Sequence, residues 1–159
     1  MAKSRGTGAD ALEMLKQDHD DVEKEFGAFE KLDRHREEAV RALVLRACVL
    51  LRVHATLEEE IFYPALRGAI DDEDILNEAA VEHETARMLI EQLENMPEDD
   101  PNFHATFTVL GEYVRHHVAE EESEIFPAAM ESELDLQALG ERLRARKEEL
   151  VDEAEKAHV

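Results

Sequence analysis

The stretch His54-Ala55-Thr56-Leu57-Glu58-Glu59-Glu60-Ile61-Phe62-Tyr63-Pro64 has a near copy in His117-Val118-Ala119-Glu120-Glu121-Glu122-Ser123-Glu124-Ile125-Phe126-Pro127. In each, a Glu follows the His by four residues and a Pro follows it by ten. Residues four apart share a helical stripe, so each copy presents an imidazole beside a carboxylate. Working outward, apolar positions at steps of three and four lead into both copies: Val40, Leu43, Ala47 and Leu50 before His54, and Phe103, Phe107, Leu110 and Val114 before His117. Two further segments carry the same period. Leu12, Leu15, His19, Val22, Phe26 and Phe29 follow a capping-box pair, Asp10 and Glu13. Leu76, Ala79, His83, Ala86, Ile90 and Leu93 follow the acidic run Asp71 to Asp74, which suits a helix N-terminus, and stop at Pro97. Pro64 with Gly68 closes the second segment, and Pro101 and Pro127 bound the fourth.

Four helices follow from this pattern, joined around Asp33 to Arg36, Ala65 to Ile70 and Pro97 to Pro101. Connections this short favour antiparallel neighbours, hence an all-α, up-down-up-down antiparallel four-helix bundle. A weaker period, Leu136, Leu139, Leu143 and Leu150, predicts an additional C-terminal helix packed on one flank. The expected organisation is a loose tail over 1–9, the bundle over 10–130 and a helical extension over 131–159. A length of 159 residues suits one domain. Charged residues make up 36% of the chain, against about 25% in typical domains. A formal charge of -22 argues against nucleic acid or a membrane surface as partner. The lone Cys48 excludes an intrachain disulfide framework, and no apolar run of signal or transmembrane length follows Met1. These features predict a cytoplasmic protein, a monomer or weak homo-oligomer.

The seam facing the bundle interior should be apolar, yet it carries His19, then His54 with Glu58, then His83, then His117 with Glu121. A single inward His is usually a satisfied core residue. Six inward polar groups are another matter, because an ionised carboxylate in an apolar core costs several kcal/mol even after relaxation. No Lys or Arg shares these seam positions, so a metal is the economical counter-charge. Height agrees as well. His19 and His83 each lie 14 residues before Asp33 and Pro97, while His54 and His117 lie 18 and 16 after Arg36 and Pro101. In an antiparallel bundle this brings the histidines within about a turn of one another. Mixed imidazole and carboxylate donors suit iron, manganese or zinc.

One His on the first helix, His-x-x-x-Glu on the second, His on the third and His-x-x-x-Glu on the fourth resembles the hemerythrin-like, or HHE cation-binding, family over roughly Asp10 to Pro127. The resemblance implies a bundle around a non-haem di-iron centre of two iron ions, expected as an Fe-O-Fe type centre. Its metal ligands would be His19, His54, Glu58, His83, His117 and Glu121. Oxygen-carrying members have a second His four residues after the third-helix ligand, where this chain has Arg87. That departure puts simple reversible oxygen carriage in doubt and leaves a coordination position for a small ligand.

Other polar and reactive residues have plainer readings. Glu23 repeats the stripe spacing after His19 but reads as a solvated charge, and His116 lies about 100° round the helix from His117. His35, His104 and His158 read as surface or capping residues, Tyr63 and Tyr113 as packing, and Cys48 as a small buried hydrophobe. Glu59, Glu60, Glu120 and Glu122 face away from the seam and read as solvated unless one turns inward as a supporting partner. Arg34, Arg36 and Arg41 read as a solvated connection. The expected function is reaction with hydrogen peroxide, oxygen or nitric oxide in a stress-protective role, with catalase-like peroxide decomposition as one form. The alternative is non-enzymatic oxygen or iron binding, storage or sensing. A plain bundle with internally paired His and Glu is a third reading.

Overall fold

The computed structural model describes residues 10–97 and 99–157 of the chain; the expected tail over 1–9 and His158 lie outside the described residues. Helix α1 (Ala11–Lys31) opens at Asp10, whose carboxylate accepts the Glu13 N–H at 3.0 Å while the Glu13 carboxylate accepts the Asp10 N–H at 3.1 Å. This reciprocal pair satisfies donors that a helix start leaves unbonded. Helix α2 (Glu37–Leu57) runs without a break into a π-helical turn, π1 (Glu58–Phe62), and then into the short α3 (Tyr63–Leu66). After α4 (Asp74–Asn95), α5 (Phe103–Glu120) repeats the device through π2 (Glu121–Ile125) and α6 (Phe126–Glu131). Helix α7 (Leu136–Ala157) follows. There is no strand among the described residues.

Pro64 and Pro127, whose spacing predicts helix stops, do not end their helices; the chain continues helically past Pro64 to Leu66 and past Pro127 to Glu131. Proline has no N–H to donate, and its ring crowds the carbonyl four residues back. A π turn just before each proline absorbs the conflict, with the Tyr63 N–H bonding the Glu58 carbonyl and the Phe126 N–H bonding that of Glu121, each five residues back. The real stop after α3 is Gly68, whose φ of +86° is a left-handed conformation that glycine adopts without steric cost.

Packing divides into two apolar clusters. One gathers Leu12, Leu15, Leu57, Phe62, Leu66, Leu76, Phe126 and Leu143. The other gathers Val22, Phe26, Phe29, Val44, Leu93, Phe107 and Leu110. Each fully buried Leu, Val or Phe contributes roughly 1.5–3 kcal/mol relative to exposure, so both plugs are strongly held. Along each long helix except α7, the inward His falls where one cluster gives way to the other. Leu50 is only half-buried and Leu51 takes the core position, a one-residue departure from the predicted seam.

Helix α1 packs on α2, α4 on α5, and α2 on α4, while α7 lies against α1 and α2. Between α1 and α2, Asp18 meets His54 and Glu25 meets Arg46; between the α2–π1 segment and α4, Arg52 meets Glu94 and Glu59 meets Arg87. No helix of the described residues is long and apolar enough to cross a membrane.

Candidate metal centre

All six predicted seam residues are buried and converge: His19 from α1, His54 from α2, Glu58 from π1, His83 from α4, His117 from α5 and Glu121 from π2. They form two adjoining sets. In the first, donor atoms of His19, His54, Glu58 and Glu121 lie within 4.8 Å of one another; in the second, those of Glu58, His83 and His117 do. Glu58 belongs to both. Its Oε2 sits 3.0 Å from His54 Nε2 and its Oε1 sits 3.0 Å from His83 Nε2.

The first set has an unusual polar inventory. His19 Nε2, His54 Nε2, Glu58 Oε2 and Glu121 Oε1 are fully buried and have no hydrogen bond within the protein. His19 Nε2 and Glu121 Oε1 approach to 2.9 Å, yet without hydrogen-bond alignment. Buried polar atoms are nearly always paired, and orphans carry a penalty of about 1–3 kcal/mol each, more when charged. Four such atoms, two nitrogen and two oxygen, turned toward one point are the donor set of a nitrogen- and oxygen-liganded cation, so these residues fit a metal.

Every imidazole is aimed from behind by a carboxylate on another helical segment. The Nδ1–H groups of His54, His19, His83 and His117 donate to Asp18, Glu122, Glu59 and Glu82 at 2.9, 2.7, 2.8 and 2.5 Å. Such pairing fixes the tautomer and leaves Nε2 facing the centre. Three of these carboxylates carry a cation on their far side: Lys147 on Asp18 at 2.6 Å, Arg87 on Glu59 at 2.6 Å and Lys16 on Glu122 at 3.6 Å. Arg87, at the position of the missing imidazole, thus holds the carboxylate that orients His83.

The second set includes a hydroxyl. The single Tyr63 Oη–H points between the two carboxylates, hydrogen-bonding Glu121 and lying 3.1 Å from Glu58 Oε1, with His83 and His117 Nε2 at 3.5 and 3.4 Å. Tyr63 was expected only to pack. It reaches the centre because π1 inserts an extra residue, bringing the fifth residue after Glu58 onto the seam. The equivalent residue, Phe126, instead stacks on His19 with ring centroids 5.8 Å apart. Burial and the charges of Glu58 and Glu121 keep the phenol well above its usual pKa, and so protonated.

Electrostatics in the metal-free protein follow from crowding. Burial opposes charge on His83, but the carboxylates of Glu58 and Glu59 outweigh it and lift the ring to about 9. His19 and His54 are raised against burial by Glu121 and by Glu58 with Asp18 respectively. Burial opposes ionisation of Glu58 as well, yet His54 and His83 hold it well below the carboxylate range; burial and the Glu58 charge push Glu121 up. Beside the centre lies a cavity of about 50 Å³ walled by Val22, Leu51, Ala86, Ile90 and Val114 together with the histidines.

The residues set aside fall elsewhere. His116 is 67% exposed and pairs with Glu120, Glu23 pairs with Arg115 on the surface, and Tyr113 is exposed. His104 packs against Phe29 with its ring tilted, and Cys48 is fully buried, its thiol pushed up to about 12 mainly by burial. Arg41 is engaged, donating to the Met96 carbonyl at 3.0 Å. Glu59 and Glu122, expected to be solvated, are corrected to partners of the histidines, and Asp18 and Glu82 were not foreseen at all. Their one sequence signal is adjacency: each sits next to a seam His or Glu in the chain.

An all-helical protein with a buried histidine and carboxylate cluster belongs to the class of helical metal-binding proteins. More narrowly, the chain belongs to the hemerythrin HHE cation-binding domain family, whose model matches residues 10–129. Its structure is similar to the crystal structure of a hemerythrin HHE cation binding domain-containing protein from Mycobacterium kansasii. The TM-score is 0.80 at 25% identity, covering 92% of this chain and 90% of that one. No curated protein sequence matches the chain significantly.

Proposed function

We propose that this protein holds two iron ions in the adjoining sets and reacts with a small oxidant, hydrogen peroxide, oxygen or nitric oxide, in a stress-protective role in the cytoplasm. The carrying observation is Glu58, a buried carboxylate with one oxygen in each set. The ligands would be His19, His54, Glu58 and Glu121 for one ion and His83, His117 and Glu58 for the other. The scaffold would be an up-down-up-down four-helix bundle over 10–130 with α7 added. Contacts support that arrangement: partners descend along α2 as they ascend along α1, Asp18 with His54 and Glu25 with Arg46.

When bound, the iron pair would supply redox chemistry and an exchangeable position for a small ligand. The chain's own residues do the rest. The carboxylates behind each imidazole hold the Nε2 atoms on target, and Tyr63 holds a proton at Oη within reach of Glu58 and Glu121. The 50 Å³ cavity has room for a small molecule, since a site needs only about 10–15 Å³ of such space to hold a water. Its apolar walls limit bulk water.

The test is elemental analysis of iron, manganese and zinc on protein from iron-supplemented medium, with a Glu58→Ala, Glu121→Ala variant alongside. About two irons per chain, lost in the variant, with peroxide changing the absorption spectrum and evolving oxygen faster than free iron does, is the expected result. No metal in either protein would sink the reading. Metal without turnover would leave non-enzymatic binding, storage or sensing.

A further inference from the structure

Helix α7 lies outside the residues that the family model matches, yet it reaches the centre. Leu139, Gly140 and Leu143 are buried, and the two leucines anchor it in the apolar cluster containing Leu12, Leu15, Val53 and Leu57. One turn further on, Lys147 Nζ donates to Asp18 Oδ1 at 2.6 Å. Asp18 Oδ2 accepts the His54 Nδ1–H at 2.9 Å, and His54 Nε2 stands 3.0 Å from Glu58 Oε2. Three side chains thus form one file from the C-terminal helix to the shared carboxylate.

This file differs from the other three. The Asp18 side chain is 9% exposed, against 35% for Glu59, 24% for Glu82 and 30% for Glu122. Water can compensate the charge of the more exposed carboxylates, whereas Asp18 depends on its protein partners. Burial opposes its ionisation, and His54 and Lys147 together outweigh that and hold its carboxyl below the usual range. Lys147 brings a fixed positive charge and leaves the second oxygen free for the imidazole. The adjacent Arg146 donates to Glu60 in π1 at 2.8 Å, so successive residues of α7 tie it to α1 and to π1.

We infer that Lys147 is a positioning residue for the His54 ligand: through Asp18 it keeps the imidazole turned toward the first set, making α7 part of the apparatus that retains the ion there. This rests on the reading of the cluster as a metal centre.

The test uses the full chain with Lys147→Met, Lys147→Arg and, for the same charge change near the end of α7, Lys156→Met. Metal loss to a chelator and the His54 Nδ1–H resonance of the metal-free protein are followed separately. Lys147→Met should release one ion several-fold and up to about tenfold faster, below the 10–100-fold typical of groups directly behind a ligand. Its His54 Nδ1–H should exchange faster with water, Lys147→Arg should restore both readouts, and Lys156→Met should match the parent. In an Asp18→Asn background, Lys147→Met should add nothing, whereas a role confined to docking α7 would persist there. Parental release rates and an unchanged His54 resonance in Lys147→Met would overturn the inference. If the parent binds no metal, the proposed function fails, and the His54 resonance still decides the role of Lys147.

Discussion

Around His19 and His54 the buried donor atoms face one another without hydrogen bonds, whereas around His83 and His117 a tyrosine hydroxyl stands among them. Both halves come from one repeat and use one backbone device, a π turn that starts at the Glu and brings the fifth residue after it to the centre. In one half that residue is Tyr63, which bonds Glu58 and Glu121; in the other it is Phe126, which lies flat on His19. The donors differ as well, since Glu121 joins Glu58 in the first set and Glu58 stands alone in the second. Four donor atoms of the first half have no hydrogen bond in the protein, while in the second the phenol stands beside both imidazoles and bonds the carboxylates. The comparison teaches that one repeat can build two unequal donor sets, of which the first is the one expected to bind a metal more tightly.

The largest effect should come from removing what the halves share. Glu58→Ala is expected to abolish metal binding in both, from about two ions per chain to none by elemental analysis. A variant that keeps one ion would show that the halves are independent. Next come the separate ligands: His54→Ala and His83→Ala should each leave one ion, and chelator titration should find the one surviving in His83→Ala the tighter. The reverse order would break the ranking.

pH should drive metal-free and metal-loaded protein in opposite directions. The folded pKa of His83, about 9, lies above its ordinary value of 6.5, so its stabilisation of the metal-free protein is complete below 6.5 and is lost as pH rises through about 9. Metal needs the unprotonated ring, so affinity should rise over that interval as proton competition falls. Thermal melts with and without metal across it would show opposite slopes; parallel slopes would count against protonated His83. Tyr63→Phe, which removes the hydroxyl from the second half, should cost the metal-free protein about 1–3 kcal/mol in denaturant unfolding by orphaning carboxylate oxygens. The smallest effect belongs to Glu23→Gln, within about 0.5 kcal/mol and with unchanged metal content, because its pair with Arg115 is on the surface.

Much of the centre was legible because helix periodicity is a one-dimensional signal. His19, His54, Glu58, His83, His117 and Glu121 fall on apolar stripes at steps of three and four, and a polar residue on such a stripe must be buried with its helix. Pro64 and Pro127 do not stop their helices because the rule for proline assumes an α-helical turn, and a π turn relieves the clash. Tyr63 was missed for the same reason: in an unbroken α-helix the fifth residue after Glu58 points off the seam.

The amino-acid sequence by itself determined helices, their amphipathic faces and six inward donors, since these depend on residue type and spacing within one segment. Only the tertiary structure decided which carboxylate stands behind each imidazole, that Arg87 and Lys147 stand behind two of those carboxylates, and that a phenol enters one half alone. Those pairings join Asp18 to His54, Glu59 to His83, Glu82 to His117 and Glu122 to His19, each across two helical segments. Their geometry is set by how helices dock and where a π turn shifts the register, and no periodicity along a single chain segment carries that information.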